Sequence, residues 1–459
     1  MQKLYIFTFN TIYKVTRHLS EDIRNLVLFL CCLMLMWVYF FSGRSVMAGE
    51  TQIYCSVITA IIILSSINKE TERIEWNSFV YYPMVLFGIG IILIGQFHSI
   101  GDGYLMYALG LTILFPALYF VWANRGDCKI LYKLMALAIL LLGIASFVYC
   151  FYLAYKGAIP VGGDNRVFGI RSNANTFARL GVIILLSGIY LAWEYIDHRV
   201  MAVIFSSGIG IGLSYILLSI SRTAFITAVM FFLILLVFAF KARDDLVKDR
   251  DRLVTLVLLI AVSGLILFAG MHLDDINKRV MEKEMQDGAA APTAMIVEDV
   301  RLGIVEVAYA EDDGQADMTD RLNPAGDINT YSSGRIERWV VYIQNFSLLG
   351  KPYSELEQYF GTEPILYAHN NIIEYIFRCG YIVGGIYVLF YIAQGITGLK
   401  ILFSRKNASA RDFFVVAVVG MYSVLAMLDV ETLAFGGCFP CIYFLSIAPV
   451  VTKGRADRG

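Results

Sequence analysis

The sequence predicts an all-α fold: a polytopic membrane bundle of about twelve transmembrane helices with one large, partly helical loop outside the cytoplasm. Composition is the first reason, because 58% of the 459 residues are hydrophobic and only 16% are charged, whereas soluble domains carry roughly 25% charge. A series of apolar runs of the length that crosses a bilayer is the second reason. The third is the uneven distribution of lysine and arginine among the connections.

The apolar runs divide the chain into three regions. Nine runs lie in residues 1–271, none lies in residues 272–368, and three lie in residues 369–459. We interpret the regions as an N-terminal transmembrane region, a large extracytoplasmic loop and a C-terminal transmembrane region. The runs begin near Leu26, Gln52, Phe79, Tyr104, Leu131, Phe177, Met201, Ala224, Leu253, Gly380, Phe413 and Ala434.

The distribution of lysine and arginine predicts that both termini are cytoplasmic. Cytoplasmic loops of membrane proteins carry the excess of these residues. Here they gather in alternate connections, for example at Arg125 and Lys129 and again in residues 241–252. The short turns near Ser99 and Glu431, on the other side, contain neither residue type.

Several cations and one histidine depart from this distribution, because they lie on the predicted outer side. Arg166 and Arg171 precede the sixth run, and Arg222 lies in the turn between the seventh and eighth runs. Arg335 lies in the large loop, and His369 follows that loop at the start of the tenth apolar segment. These residues therefore mark a candidate site on the outer face.

The large loop contains two different kinds of sequence. From Gln286 to about Asp327 it is rich in Ala, Asp and Gly, a composition that cannot bury a core, so we expect a flexible insertion. From Ser332 to Phe346 apolar residues recur every three or four positions, which predicts an amphipathic helix on the membrane or on top of the bundle. The recurring residues are Ile336, Trp339, Val340 and Ile343.

Two further patterns predict helix contacts. Gly208, Gly210 and Gly212 alternate within an apolar run, which is typical of close helix packing; no strand precedes them, as a nucleotide loop would require. Glu374 and Arg378 are four residues apart on one predicted helix, in the order that favours an ion pair. Polar residues at this position indicate a helix that faces protein or a water-filled cleft.

The outer-face residues resemble the motifs of the O-antigen ligase and polysaccharide polymerase superfamily. The resemblance covers about Arg166 to Gly385. It rests on Arg171-Ser-Asn-Ala-Asn175, on Ser221-Arg222, on Ser333-Gly-Arg335-x-x-x-Trp339, and on His369-Asn370 followed by Gly380. The last ligase motif is incomplete, since Val383 stands where the family has Gly, Thr or Tyr.

The resemblance implies a multi-pass glycosyltransferase of the bacterial cytoplasmic membrane. Its donor would be an undecaprenyl-diphosphate-linked glycan, and its acceptor a glycan, a lipid or a protein. The resemblance implies no metal and no other cofactor. Apolar grooves between helices, which membrane lipid also contacts, would hold the polyprenyl chain.

The residue types fit this chemistry. Guanidinium groups match phosphate oxygens bidentately, so we assign Arg222 and Arg335 to the donor diphosphate. His369 would take the proton from the acceptor hydroxyl, and direct displacement would invert the anomeric carbon. We assign substrate binding to four neighbours of these catalytic residues: Arg166, Arg171, Asn370 and Trp339.

Two other classes of function stay open at the level of sequence. A polysaccharide or lipid-linked-sugar exporter, or flippase, would place its buried charges along a central path at mid-membrane depth. A membrane receptor or scaffold would use the long loop as a binding surface. The net charge of −1 gives no basis for nucleic-acid binding.

The predicted topology is tested by a single cysteine introduced at Gly314, within the large loop. We expect a membrane-impermeant thiol reagent to label it in intact cells, because the lysine and arginine distribution places the loop outside the cytoplasm. Protection in intact cells, with labelling only after lysis, would contradict the topology.

Overall fold

A computed structural model describes residues 2–41, 49–100, 103–126, 128–161, 166–171, 173–243, 249–286, 335–356, 359, 367–404, 409–428 and 437–453. These residues are almost entirely α-helical, which confirms the predicted class. They form one small antiparallel sheet, of strands β1 (Glu75–Trp76) and β2 (Thr452–Lys453). Apart from Gln286, the predicted insertion lies outside the described residues, and so does Ser333 of the third motif.

The helices are numbered here in chain order. They are α1 Gln2–Thr16, α2 Glu21–Phe41, α3 Gly49–Ser66, α4 Ser78–Ile94, α5 Tyr104–Arg125, α6 Lys129–Tyr155, α7 Ala174–Glu194, α8 Arg199–Leu218, α9 Arg222–Lys241, α10 Arg250–Met271, α11 Leu273–Gln286, α12 Arg335–Gln344, α13 Asn371–Ser404, α14 Ala410–Leu428, α15 Cys438–Ser446 and α16 Ala448–Val451. Helix α5 includes a π-helical turn at Gly110–Leu114, and a 3₁₀ turn covers Tyr353–Leu356.

Nine helices of the described chain are long and apolar enough to cross a membrane, which supports a multi-pass membrane protein. They are α2, α5, α6, α7, α8, α9, α10, α13 and α14, and the apolar helices α3 and α4 are shorter. Each of the first eleven predicted runs coincides with one of these eleven helices. The twelfth run, predicted near Ala434, begins outside the described residues. Since α15 has 9 residues, a twelfth span stays a prediction.

Side-chain caps determine where two of the long helices begin. At the start of α7, Asn173 Oδ1 accepts a hydrogen bond from the main-chain N–H of Asn175 at 2.7 Å. At the start of α10, Asp249 Oδ1 accepts from the N–H of Asp251 at 2.9 Å. Each cap satisfies a donor that has no partner within its helix.

The three alternating glycines of α8 let that helix contact two neighbours closely, as predicted. A Cβ atom on Gly212 would lie 2.6 Å from the carbonyl oxygen of Gly181 in α7. A Cβ atom on Gly210, on another side of α8, would lie 2.5 Å from the carbonyl oxygen of Ser263 in α10. Close backbone approach of this kind stabilises helix pairs in membranes.

Ion pairs gather at the end of the bundle where α5 and α7 end and where α2, α6, α8 and α10 begin. We call this end the opposite face. The lysine- and arginine-rich connections predicted to be cytoplasmic meet here. The pairs join Lys133 to Glu194, Arg199 to Asp251 and Arg252 to Asp197 at 2.7–2.8 Å, and Arg125 to Glu21.

The other end of the bundle, where α2, α8 and α14 end and where α7, α9 and α13 begin, is called the arginine face. Arginine side chains here join helix ends to one another. Arg171 Nη1 donates to the carbonyl oxygen of Tyr39 near the end of α2 at 3.0 Å. Arg335 Nη1 donates to the carbonyl oxygen of Leu428, the last residue of α14.

Helix α13 is broken at Gly380, and the loop that precedes the helix fills the break. Gly380 has φ 79° and ψ 171°, so it interrupts the helical hydrogen bonding. The main-chain groups that lose their helical partners at the break bond to the loop instead. The N–H of Lys351 donates to Phe377 O at 2.9 Å, and the N–H of Tyr381 donates to Ser347 O at 3.1 Å. The end of the loop is therefore part of the helix packing.

The amphipathic helix predicted in the large loop is present as α12, but its buried residue differs from the expected ones. Tyr342 is fully buried, together with Leu356 and Phe377, whereas Val340 and Ile343 are 47% and 51% exposed. The pattern that predicted the helix therefore includes residues of its outward side, which a membrane surface would cover.

Gly380→Ala is expected to destabilise the protein, because two physical terms act against a side chain there. The φ and ψ angles of Gly380 belong to a region that only glycine adopts readily, so alanine costs roughly 1–3 kcal/mol in backbone strain. A Cβ atom would also lie 2.1 Å from Leu348 O, which adds to the loss. Thermal unfolding in one detergent measures the change.

Gly385→Ala is the matched control for that measurement. Gly385 lies in the same helix, and a Cβ atom there would meet nothing within 4 Å. We expect no loss of stability, because alanine is the better helix former. Equal melting temperatures for the two variants would contradict the account of the break.

Candidate functional site

Arg166 holds the beginning of α7 against the end of α8. Its Nε donates to the carbonyl oxygen of Ser219 at 2.7 Å, and its Nη2 donates to Asn175 Oδ1 at 2.6 Å. The main chain makes the same connection, since the N–H of Val167 donates to Leu218 O at 3.0 Å. Arg166 therefore helps to hold the turn that leads to Arg222 in place.

Arg171 and Arg179 place two guanidinium groups in one neighbourhood at the beginning of α7. Burial is the largest cause that lowers the pKa of the Arg171 guanidinium, and the positive charge of Arg179 lowers that pKa further. Arg179 lies four residues after Asn175, on the same side of the helix. Arg179 was not among the predicted site residues.

A small cleft, with room for about one water molecule, lies between the beginnings of α7 and α9. The surface that it exposes is mainly apolar, but four residues around it have side chains of the kind that bind phosphate oxygens: an arginine, an asparagine, a serine and a threonine. Helix N-termini also attract anions, because their main-chain N–H groups lack partners within the helix. The lining residues are Asn175, Arg179, Val182, Ser221, Thr223, Ala224, Leu425 and Phe439.

Arg222 is the first residue of α9, between the two hydroxyl residues of this cleft, Ser221 and Thr223. The turn before it is strained, because Ile220 has φ 49°. A β-branched residue with positive φ is a genuine outlier among protein backbones. The main chain therefore enters α9 in a conformation that the surrounding contacts impose.

Arg335 and Asn370 meet at consecutive carbonyl groups at the end of α14. Arg335 bonds the carbonyl oxygen of Leu428, and Asn370 Nδ2 donates to the carbonyl oxygen of Met427 at 3.2 Å. Leu425, one turn earlier in α14, lines the cleft beside Ser221. The end of α14 therefore joins the cleft to Arg335 and to the turn that carries His369.

The turn that carries His369 is fixed from several directions. Asn370 Oδ1 caps α13, since it accepts from the N–H of Ile372 at 2.9 Å. Trp339 Nε1, on α12, donates to the carbonyl oxygen of Ala368 at 2.6 Å. These bonds give Asn370 and Trp339 a role in holding the turn, beside the substrate-binding role that the sequence analysis assigned to them.

His369 itself is half-buried and has φ 51°. Among the described residues, it and Ile220 are the non-glycine residues with a positive φ. Both lie at the arginine face, in the two turns that carry proposed catalytic residues. Backbone strain of this kind concentrates at functional sites, where the surrounding structure maintains it.

The predicted ion pair of Glu374 and Arg378 is present and buried. Arg378 Nη1 lies 3.7 Å from Glu374 Oε1, and both side chains are less than 5% exposed. The pair faces protein, as the polarity of this helix start requires. Its aromatic neighbours, Tyr104 and Tyr353, come from distant parts of the sequence and were not predicted.

The structure thus brings most of the predicted residues to one end of the bundle. Arg335, Trp339, His369 and Asn370 are linked through α14 and Ala368, and the turn of Arg222 is linked to the same helix through the cleft. Arg166 bonds Ser219 O in that turn, and Arg171 bonds Tyr39 O near the end of α2. Arg179 could have been found in the sequence, because an arginine inside an apolar run is a functional candidate by itself.

No protein-family model, no curated protein and no solved structure matches the chain. Within the described ranges, no three His, Cys, Asp or Glu side chains are placed together so as to hold a metal ion.

The left-handed conformation of His369 predicts an unusual order of stability among variants. We expect His369→Gly and His369→Asn to be more stable than His369→Val, because glycine and asparagine accept a positive φ. His369→Val should lose roughly 1 kcal/mol, because a β-branched residue tolerates a positive φ less well than histidine does. Thermal unfolding in one detergent gives the comparison.

Ile382 serves as the control position, since it lies in the helical part of α13 and is 60% exposed. There the order should be reversed, because glycine is the weaker helix former by several tenths of a kcal/mol. The same order of glycine and valine at both positions would show that the turn of His369 is not left-handed.

Proposed function

We propose that the chain is a membrane glycosyltransferase of the O-antigen ligase or polysaccharide polymerase type, in a bacterial cytoplasmic membrane with both termini cytoplasmic. It transfers or polymerises a glycan from an undecaprenyl-diphosphate donor at the outer face. The observation that carries the proposal is the arginine face, where Arg179, Ser221 and Thr223 border a small cleft and where the turns before Arg222 and at His369 are strained. That combination fits a lipid-linked diphosphate and a hydroxyl acceptor.

The first part of the mechanism is binding of the donor diphosphate. Arg179, Ser221 and Thr223 line the cleft, and Arg222 lies between the two hydroxyl residues. Guanidinium groups bond two phosphate oxygens at once and do not lose their proton. Charge that develops on the leaving diphosphate would be stabilised by groups whose positions are already fixed, which is the most effective form of electrostatic catalysis.

The second part is activation of the acceptor hydroxyl. His369 takes the proton from that hydroxyl as the oxygen attacks the anomeric carbon of the donor sugar. The bond between that carbon and the diphosphate oxygen breaks, the electron pair leaves with the diphosphate, and the anomeric carbon is inverted.

The placement of buried charges favours an enzyme over an exporter. An exporter needs charged side chains along a path at mid-membrane depth. In the described part of the chain, the buried charged side chains are Arg24, Glu374, Arg378 and Asp412. Each lies within the first eight residues of its helix, near an end of the bundle.

A transfer assay with purified protein in nanodiscs and an undecaprenyl-diphosphate-linked glycan tests the proposal. We expect His369→Gly to abolish transfer and to retain donor binding, because it keeps the turn and removes only the imidazole. Arg335→Ala should lose about 2–4 kcal/mol of transition-state stabilisation, measured as kcat/KM. Arg222→Lys and Arg335→Lys should restore little, because lysine lacks the forked geometry.

Arg199→Ala, on the opposite face, is the control, since it removes an arginine that pairs with Asp251 at 2.8 Å far along the bundle from the cleft. It should leave transfer unchanged. Full transfer by His369→Gly would show the base assignment to be wrong. Movement of labelled donor across vesicle bilayers, without any transfer, would support the exporter instead.

A further inference from the structure

Both main-chain groups of Ala368, the residue before His369, are bonded to side chains. Its N–H donates to Glu374 Oε2 at 3.0 Å, and its carbonyl oxygen accepts from Trp339 Nε1 at 2.6 Å. Ala368 is itself fully buried. Because Ala368 is covalently joined to His369, these two bonds decide where the strained turn lies.

Glu374 is enclosed completely and has several partners. It is 0% exposed, in the first turn of α13, where the helix dipole favours a carboxylate. Tyr353 Oη donates to its Oε1, and the guanidinium of Arg378 lies 3.7 Å from the same oxygen. The carboxylate therefore accepts one bond from the loop and one from the turn, and it balances one buried cation.

Arg378 is fixed in turn by two tyrosines. Its Nη1 donates to Tyr104 Oη at 2.6 Å, and its guanidinium carbon lies 4.4 Å from the centre of the Tyr104 ring and 3.9 Å from that of Tyr353. A buried ion pair contributes little net stability, because desolvation offsets the attraction. The ion pair of Glu374 and Arg378 is therefore better explained by its effect on the positions of neighbouring groups.

We propose that Glu374 is a positioning residue for His369, which it holds through the N–H of Ala368 while Tyr353 and Arg378 fix the carboxylate. The inference rests on the proposed role of His369 in transfer. Glu374 does not contact the reacting atoms. It keeps the imidazole in place, and displacement of a catalytic group by about 1 Å costs on the order of 100-fold in rate.

Glu374→Gln is the first test, because an amide has one oxygen and retains at most one of the two acceptor positions. We expect the Ala368 amide to exchange with deuterium at least ~10-fold faster, since its hydrogen bond is weakened. We also expect kcat to fall by ~10–100-fold with KM for the donor within about twofold, because the arginines of the cleft are untouched.

Glu355→Gln is the matched control. Glu355 belongs to the same loop, pairs with Lys351 at 3.0 Å, and has a side chain that is 49% exposed. Exchange at Ala368 and both kinetic constants should equal those of the original protein.

Two further variants keep the test decisive if Glu374→Gln folds poorly. Tyr353→Phe removes one hydroxyl and retains the ring over Arg378, so it should change exchange and kcat in the same direction by less. Glu374→Gln combined with Arg378→Met removes the unbalanced cation. This double variant should regain the thermal stability that Glu374→Gln loses. Its Ala368 amide should still exchange faster than in the original protein, and its kcat should stay low.

The outcomes separate this inference from the proposed function. Unchanged exchange at Ala368 in folded Glu374→Gln would overturn the positioning role, and so would faster exchange with an unchanged kcat. If the original protein transfers no glycan, the proposed function fails. The exchange measurement then still decides whether Glu374 holds the turn.

Discussion

The hydrogen bonds that fill the break at Gly380 are the constraint on which the arginine face depends. Main-chain groups without partners are costly in a membrane, where no water replaces them. Here the N–H groups of Lys351 and Tyr381 complete the pairing across the break. The loop from residue 347 to residue 351 is therefore as much a part of helix packing as any membrane helix. Helix α12, which carries Arg335, ends three residues before this segment, so the same bonds limit where α12 lies.

The turns that meet at this face combine strain with strong restraint. Ile220 and His369 adopt a conformation that costs roughly 1–2 kcal/mol for each residue, and the loss must be offset by neighbouring contacts. For Ile220 the bond from Arg166 to Ser219 O restrains the preceding residue. For His369 the restraint comes from both sides of Ala368 and from the cap by Asn370. Strain maintained in this way keeps each turn in a single conformation.

The sequence was sufficient for features that depend on periodicity and spacing. Local patterns in the sequence predicted the apolar runs, the close contact at Gly210 and Gly212, and the ion pair of Glu374 and Arg378. Features created by distant contacts were not predictable. The sequence predicted a helix through Glu374 and Arg378, but not the break at Gly380, which depends on hydrogen bonds from the loop at Ser347 and Lys351. Likewise Tyr342 is buried because Phe377 lies opposite, which the spacing within α12 does not reveal.

Arginine side chains in the bundle contact both carboxylates and carbonyl oxygens, and the two kinds of contact differ in their electrostatic consequence. On the opposite face, Arg199 and Arg252 contact carboxylates, and such a contact cancels charge. At the arginine face, Arg171 and Arg335 contact the carbonyl oxygens of helix ends. A carbonyl holds a guanidinium in position and interacts favourably with it, but it leaves the formal charge in place. These bonds therefore fix the geometry of the face at which we propose that the diphosphate binds.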